Sequence, residues 1–285
     1  MAIKVVGVIG SGQMGSGIVQ VAAMNGFDVI VHDASAEALL KSRQRIEQNL
    51  QKYLEKSSIT DQELKQTKSR IRASQHLEDM AQADIVIEAV NENPKMKFEL
   101  FKTLDSLCRD DVVLASNTSS ISITAIGSHT RRPDKIIGMH FMNPVPIMKL
   151  VEVIRGLKTS DEAFQKVKVL AEKLGKTPIV SKDYPGFVVN RILMPMINEA
   201  CYAHYEGLAS VEDIDSAMKL GTNQPMGPLA LADFIGLDTC LAILNVLYEG
   251  LGDPKYRPCP LLKQYVSAGL FGKKTNEGFY KYDKK

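Results

Sequence analysis

Short apolar runs alternate with longer helix-like segments in the N-terminal part of the chain. The runs have strand length and composition, and they lie at 4–9, 27–32, 84–90, 111–116, 135–140 and 149–154. Strands that alternate with helices are typical of βαβ units, which build a mainly parallel sheet covered on both faces. The pattern therefore predicts an α/β fold for this part of the chain.

A long polar segment at 35–72 departs from this alternation. It is helix-prone over most of its length and is interrupted near Ser57 and Ser58. Two helix-like stretches joined by a short polar break favour a helical hairpin. We therefore expect a helical-hairpin insertion between the second and third apolar runs.

The pattern changes again near residues 184–186, which read Tyr-Pro-Gly. Helix-like segments follow at 187–205, 211–220, 228–248 and 260–267. We expect an N-terminal domain at 1–184 and an all-α C-terminal domain at 185–285. Two of its segments, 191–203 and 229–246, are apolar over more than one face, which predicts a homodimer through this domain or, alternatively, burial within the chain.

Composition excludes several classes of protein. The chain has 45% hydrophobic residues, 24% charged residues and a formal charge of +2, so it has no long-range attraction for nucleic acid. The longest charge-free run, 112–130, is rich in Ser, Thr and Asn, so no membrane span is predicted. The four cysteines lack CxxC spacing, and the N-terminus lacks a signal-peptide pattern. We expect a cytoplasmic protein with no metal site and no disulfides.

A glycine-rich turn follows the first predicted strand and precedes a helix. It fits GxGxxG, the dinucleotide-binding fingerprint, and consists of Gly10, Ser11, Gly12, Gln13, Met14 and Gly15. The glycines permit a tight turn, close approach of a pyrophosphate and close helix–strand packing. Asp33 ends the second strand, where a carboxylate bonds both ribose hydroxyls and repels a 2′-phosphate. No arginine follows within 34–36, so the sequence predicts NAD (NADH) as cofactor rather than NADP.

The stretch GMHFMNPVPIMKLVEVIR contains the strongest candidate for acid–base chemistry. It sets His140 twelve residues ahead of Glu152, and both lie in apolar runs with strand composition. Histidine suits proton exchange at neutral pH, and a carboxylate on a neighbouring strand would fix its tautomer. A satisfied core histidine and a solvent-facing glutamate on an edge strand are the alternatives.

Two polar clusters are candidates for holding a substrate oxygen. The sequence SNTSS at 116–120 follows a predicted strand, at the sheet edge where open α/β folds bind ligands. Asn190 opens the first helix of the C-terminal domain, from which it would reach across an interdomain cleft. A helix cap and an ordinary polar residue at a helix start are the alternatives for these two features.

These motifs together carry a family resemblance. The chain resembles the L-3-hydroxyacyl-CoA dehydrogenases, in particular the bacterial 3-hydroxybutyryl-CoA dehydrogenases, over essentially its whole length. The shared stretches are GVIGSGQMGSGI, SNTSS, MHFMNPVPIMKLVEV, YPGFVVNRI and MGPLALADFIGLDT. The resemblance implies a Rossmann-type NAD-binding domain and an enzyme that interconverts (S)-3-hydroxybutyryl-CoA, a short-chain 3-hydroxyacyl-CoA, and acetoacetyl-CoA in fatty-acid or butanoate metabolism.

The resemblance also implies roles for single residues. The family's catalytic base and its carboxylate partner carry onto His140 and Glu152, and the substrate-contacting serine and asparagine carry onto Ser119 and Asn190. Contacts to the cofactor carry onto Asp33, Glu92, Lys97, Ser119 and Asn143.

In that family the helical excursion clasps the CoA tail, and the matching positions are Asn49 and Lys56. The first of these is commonly serine in animal members. Segment 35–72 carries nine Lys/Arg against five Asp/Glu, an excess of four positive charges that suits the phosphates of CoA. Ordinary solvated helix faces are the alternative reading of this charge.

Two other functions compete with this interpretation. A dehydrogenase of free 3-hydroxy acids also joins a Rossmann domain to helices, but it typically relies on a lysine. A non-catalytic NAD-binding or structural protein is the other, since the family also resembles a lens crystallin. That alternative predicts degraded site residues, whereas the four residues assigned to chemistry are all present: His140, Glu152, Ser119 and Asn190.

Overall fold

An eight-stranded sheet organises the first of two units in the computed structural model, which describes residues 3–283. The units are Met1–Tyr184 and Pro185–Lys285. The strands are β1 (Val5–Ile9), β2 (Asp28–His32), β3 (Ile71–Ser74), β4 (Ile85–Glu88), β5 (Val113–Ser116), β6 (Ile136–Phe141), β7 (Leu150–Arg155) and β8 (Thr177–Lys182). Their order is β3-β2-β1-β4-β5-β6-β7-β8. Neighbours are parallel except for β6 and β7, so β7 and β8 run opposite to the other six.

Helices connect these strands as the alternating pattern predicts. They are α1 (Gln13–Met24), α2 (Ala36–Glu55), α3 (Asp61–Ser69), α4 (Pro94–Leu107), α5 (Ile123–Ser128) and α6 (Asp161–Lys173). Alternate residues of the central strands pack with apolar residues of α1, α2 and α6 in one core. The predicted α/β fold with a mainly parallel, Rossmann-type sheet is confirmed.

The helical hairpin is shorter than predicted. Helices α2 and α3 form it, and a capping box between Thr60 and Glu63 begins the second helix. The predicted excursion at 35–72 is wrong at its end, because 71–72 already belong to β3. Strands β3 and β8 lie at the two edges of the sheet and are half exposed, so neither presents the apolar run by which the other strands are recognised.

The second unit is helical, as predicted. Its helices are α7 (Val189–Tyr205), α8 (Val211–Thr222), α9 (Pro228–Ile235), α10 (Leu237–Leu251) and α11 (Pro260–Ser267). Buried side chains from all five helices form one core, including Met194, Ile214, Leu229, Leu244 and Leu262. Each of these helices therefore contributes to a core that belongs to this unit alone.

A single glycine divides the helix predicted at 228–248. Gly236 has a φ of +105°, and the helices on either side of it meet at 99°. A Cβ there would lie 2.5 Å from the end of the Lys274 side chain. The prediction of one helix was wrong because apolar composition runs unbroken through the bend.

Within residues 3–283, no single helix is both long and apolar enough to cross a bilayer. Helices α9 and α10 have the length and apolar composition of a membrane span only when they are counted together, and they meet at 99°.

We predict that Gly236→Ala lowers the free energy of unfolding by about 2 kcal/mol, since a side chain is strained at this φ and meets Lys274. Denaturant unfolding followed by circular dichroism measures the loss. Gly221→Ala is the matched control, because a methyl group there meets no neighbour within 4 Å. Equal stability of Gly236→Ala and the wild type would contradict the assigned backbone conformation.

Candidate active site

Four of the predicted site segments follow neighbouring strands. The glycine turn follows β1, Glu92 follows β4, Ser119 follows β5 and His140 lies near the end of β6. These strands are adjacent and parallel, so their carboxyl ends meet at one edge of the sheet. Open α/β sheets bind ligands at this edge.

The glycine turn fits a dinucleotide phosphate. Gly10 has a φ of +96°, and a Cβ at Gly15 would lie 1.8 Å from the Gly10 carbonyl oxygen, so both positions need glycine for the turn itself. A Cβ at Gly12 would meet no protein atom within 4 Å. Gly12 is the N-cap of α1 and provides no side-chain cap. The space outside the turn is therefore open at Gly12. The N-terminus of α1 points to this space and favours an anion there.

Asp33 lies beside this turn, held by backbone and hydroxyl donors. Its carboxylate accepts hydrogen bonds from Ser11 N (2.9 Å), Ser11 Oγ (2.8 Å) and Ser35 N (3.0 Å). Burial acts to raise the pKa of Asp33, but these donors outweigh burial and the pKa lies below its usual range. The group is therefore charged at neutral pH, as recognition of a ribose diol requires.

A buried ionic cluster lies beneath the next loop. Lys97 is 1% exposed, and its Nζ lies 2.6 Å from Glu88 Oε1 and 3.1 Å from Glu92 Oε2. The Glu88 carboxylate also accepts bonds from Val90 N (2.7 Å) and Ser116 Oγ (2.6 Å). Sequence reasoning missed Glu88, although a carboxylate that ends an apolar strand is a signal that it needs a partner. Lys97, predicted as a cofactor contact, here holds two carboxylates.

Glu92 organises the SNTSS loop. One of its carboxylate oxygens accepts bonds from the Thr118 hydroxyl, from Ser119 N (2.8 Å) and Oγ (3.3 Å), and from Ser120 N (3.1 Å) and Oγ (3.0 Å). Burial acts to raise the pKa of Glu92, but the Lys97 ammonium and the donors from Thr118 and Ser119 outweigh it and lower the pKa. An anionic Glu92 thus fixes the position of Ser119.

His140 and Glu152 form a buried pair. They are direct partners in the antiparallel β6–β7 ladder, and His140 Nδ1 lies 2.7 Å from Glu152 Oε2. His140 is 8% exposed and Glu152 is 0% exposed. The alternative of a solvent-facing glutamate on an edge strand is wrong, because β7 lies between β6 and β8. The carboxylate is placed to fix the tautomer of the imidazole.

A further residue joins the SNTSS loop to the strand of His140. The side-chain oxygen of Asn117 accepts a hydrogen bond from Phe141 N at 2.9 Å. Sequence reasoning missed this role, because the contact depends on β5 and β6 being neighbours in the sheet. Asn117 ties the position of Ser119 to that of the histidine.

A groove brings together the two predicted CoA contacts. Asn49 and Lys56 line a cavity of about 420 Å³ with Lys52, Tyr53, Pro144, Pro146 and Ile147. The amide of Asn49 also donates to Gln20 Oε1 on α1 at 3.3 Å.

The loop at 142–149 reaches the glycine turn as well. Gln13 Nε2, in the first turn of α1, donates to Asn143 Oδ1 at 2.9 Å. Met14 follows Gln13 in that turn and packs against the core of the first unit. Asn143 is therefore held beside the first turn of α1.

Asn190 belongs to the second unit. It is the second residue of α7 and is 8% exposed.

Among residues 3–283, no group of three or more His, Cys, Asp or Glu side chains is arranged to hold a metal ion. The four cysteines are free and buried.

The fold and the site define a dinucleotide-binding α/β protein that can transfer a proton. The open glycine turn and the anionic Asp33 suit the dinucleotide, and the buried His140–Glu152 pair suits the proton. Residues 5–184 match the family model described as the 3-hydroxyacyl-CoA dehydrogenase NAD binding domain, and residues 186–282 match the corresponding C-terminal domain. The chain belongs to the 3-hydroxyacyl-CoA dehydrogenase family, which confirms the resemblance seen in its motifs.

Individual relatives cover nearly the whole chain. A probable 3-hydroxybutyryl-CoA dehydrogenase of Bacillus subtilis is 58% identical over 285 residues, 100% of this chain and 99% of that protein. A protein with the same description from Deinococcus radiodurans is 58% identical over 97% of this chain and 99% of its own length. The crystal structure of (S)-3-hydroxybutyryl-CoA dehydrogenase from Ralstonia eutropha superposes with a TM-score of 0.97 at 49% identity, covering 99% of this chain and 100% of that one.

We predict that Gly12→Ala folds normally and binds NADH at least about tenfold more weakly, a loss of roughly 1.4 kcal/mol. The added methyl meets open space in the protein but lies where the pyrophosphate approaches. Equilibrium fluorescence titration with NADH measures the affinity. Gly221→Ala serves again as the control for an unhindered methyl, and unchanged NADH affinity in Gly12→Ala would contradict the phosphate site.

Proposed function

We propose that this protein is an NAD(H)-dependent enzyme that interconverts (S)-3-hydroxybutyryl-CoA and acetoacetyl-CoA. The observation that carries the proposal is the buried His140–Glu152 pair at the same sheet edge as the glycine turn. The relatives named 3-hydroxybutyryl-CoA dehydrogenase support the choice of substrate. When bound, the nicotinamide cofactor supplies or accepts the hydride exchanged with C3 of the substrate.

His140 exchanges a proton with the C3 oxygen. Because Nδ1 is bonded to Glu152, the exchange falls to Nε2. In the reducing direction the imidazolium donates its proton to the new alkoxide, and in the oxidising direction the neutral ring accepts the proton of the C3 hydroxyl. Glu152 stabilises the cation and keeps the ring oriented through both directions.

Ser119 and Asn190 orient the C3 oxygen in this proposal. The hydroxyl of Ser119 donates to Glu92 at 3.3 Å, which fixes its place in the SNTSS loop. The proposed role of Asn190 rests on its position at the start of α7 and on the family resemblance.

The groove at Asn49 and Lys56 takes the CoA tail. Within residues 3–283, neither Lys52 nor Lys56 forms an ion pair, whereas Lys41, Arg43 and Lys68 of the hairpin pair with glutamates. The unpaired ammonium groups of the groove thus remain available to phosphates. Their place together on one groove favours a binding surface over an ordinary solvated helix face.

Five further properties complete the proposal. The anionic Asp33 favours NADH over NADPH. Exposed apolar side chains of the second unit, among them Ile192, Leu208 and Leu220, support a homodimer. We also propose that the protein acts in the cytoplasm, in fatty-acid or butanoate metabolism, with no nucleic-acid or membrane partner.

We predict that His140→Gln lowers kcat for acetoacetyl-CoA reduction by about 10²–10⁴, because the proton donor is lost. Glu152→Gln lowers kcat by about 10–100-fold, because the ring loses its orienting charge. The loss of the near-ultraviolet absorbance of NADH follows its oxidation. The matched control is His129→Gln, since His129 is exposed. Near-normal turnover of His140→Gln with intact NADH binding would remove His140 from the chemistry.

Equal wild-type activity on free 3-hydroxybutyrate would instead favour a free-acid dehydrogenase.

We predict that Asp33→Ser reduces the preference for NADH over NADPH, measured as the ratio of kcat/KM, by about tenfold or more. The change removes both the acceptor for the ribose hydroxyls and the charge that repels a 2′-phosphate. Asp28→Asn, an exposed aspartate at the opposite end of β2, is the control. A wild-type ratio in Asp33→Ser would show that another group selects the cofactor.

A further inference from the structure

A buried lysine lies at the same sheet edge as the active site. Lys176 immediately precedes β8, which runs opposite to β6, so it lies near the carboxyl end of β6. It is 8% exposed, and within residues 3–283 it has no carboxylate partner. Burial lowers the pKa of Lys176. An ammonium group taken out of water without a counterion needs other strong acceptors nearby.

Its acceptors are two main-chain carbonyls of one loop. The Nζ of Lys176 donates to Val145 O and to Met148 O, the latter at 2.8 Å. Both carbonyls lie in the loop at 142–149, whose turn is closed by bonds from Ile147 N and Met148 N to Pro144 O. One side chain therefore fixes the loop at two points.

That loop contacts the glycine turn, helix α1 and the groove. Asn143 bonds to Gln13 beside the glycine turn. Val145 packs closely on α1, since a Cβ added to Gly17 would lie only 2.7 Å from the Cβ of Val145. Pro144, Pro146 and Ile147 form the wall of the groove opposite Asn49 and Lys56. The position of this wall sets the width of the groove.

We propose that Lys176 is a positioning residue that holds the 142–149 loop as one wall of the groove for the CoA tail. This inference rests on the proposed function, because that function assigns the groove to CoA. The His140–Glu152 pair does not depend on the lysine, since the β6–β7 ladder holds both residues. Loss of Lys176 thus acts on substrate binding rather than on chemistry.

The central experiment compares Lys176→Met with the wild type. Methionine keeps most of the length of the side chain and removes every donor, so both carbonyls lose their partner. We expect the KM for acetoacetyl-CoA to rise about tenfold while kcat stays within about twofold. Lys173→Met, which removes an exposed charge from the end of α6, is the matched control and should match the wild type. Lys176→Arg, which restores donors and charge, should recover part of the lost affinity.

A truncated substrate separates positioning from general damage. Acetoacetyl-N-acetylcysteamine lacks the nucleotide part of CoA, so its KM should change little in Lys176→Met. A role in stability alone would lower apparent kcat for both substrates through the folded fraction and leave both KM values unchanged. That result, or an unchanged KM for acetoacetyl-CoA, would overturn the proposal.

Hydrogen exchange gives a readout that needs no turnover. The amides of Ile147 and Met148 should exchange faster in Lys176→Met than in the wild type, and coenzyme A alone should slow them in the wild type. If Lys176→Met does not fold, Lys176→Gln, which keeps an amide donor, takes its place. Unchanged exchange would overturn the proposal that Lys176 holds the loop. A wild type inactive on acetoacetyl-CoA would overturn the proposed function instead and leave the exchange test intact.

Discussion

The antiparallel pairing of β6 with β7 is the constraint on which the site depends. Every other neighbouring pair in the sheet is parallel. A parallel pair needs a crossover of a dozen or more residues, whereas residues 142–149 can only turn back. The reversal sets Glu152 directly opposite His140. A carboxylate with no exposure to water is thereby satisfied by an imidazole, and the imidazole gains an orienting charge in the same contact.

A second buried ionic group serves a different purpose at the same edge. Lys97 holds Glu88 and Glu92, and Glu92 in turn gathers the donors of the SNTSS loop. Burying a charge is costly, and removing one partner of a buried pair costs more because the other is left unpaired. The cluster therefore resists rearrangement and gives the loop one position. One carboxylate of the edge orients the imidazole of His140, and another holds the loop beside it.

How far the sequence predicts this arrangement depends on whether a signal is local. The central strands, the glycine turn and Asp33 carry their patterns within a few residues, and all were predicted. Strands β3 and β8 were missed because edge strands are half exposed and lose the apolar run. The bend at Gly236 was missed because one backbone angle interrupts uniform apolar composition. Glu88 and Asn117 acquire their roles only through the order of strands, which composition does not contain.

The loop at 142–149 links these separate elements of the first unit. It begins at the strand of His140, bonds to the glycine turn through Asn143, and ends at the strand of Glu152. Two prolines restrict its backbone, and Gly17 lets Val145 approach α1 without a side chain between them. Because the same few residues border the glycine turn and the groove, a displacement of this loop alters both together. The short connection that forces the strand reversal therefore also holds the parts of the site in register.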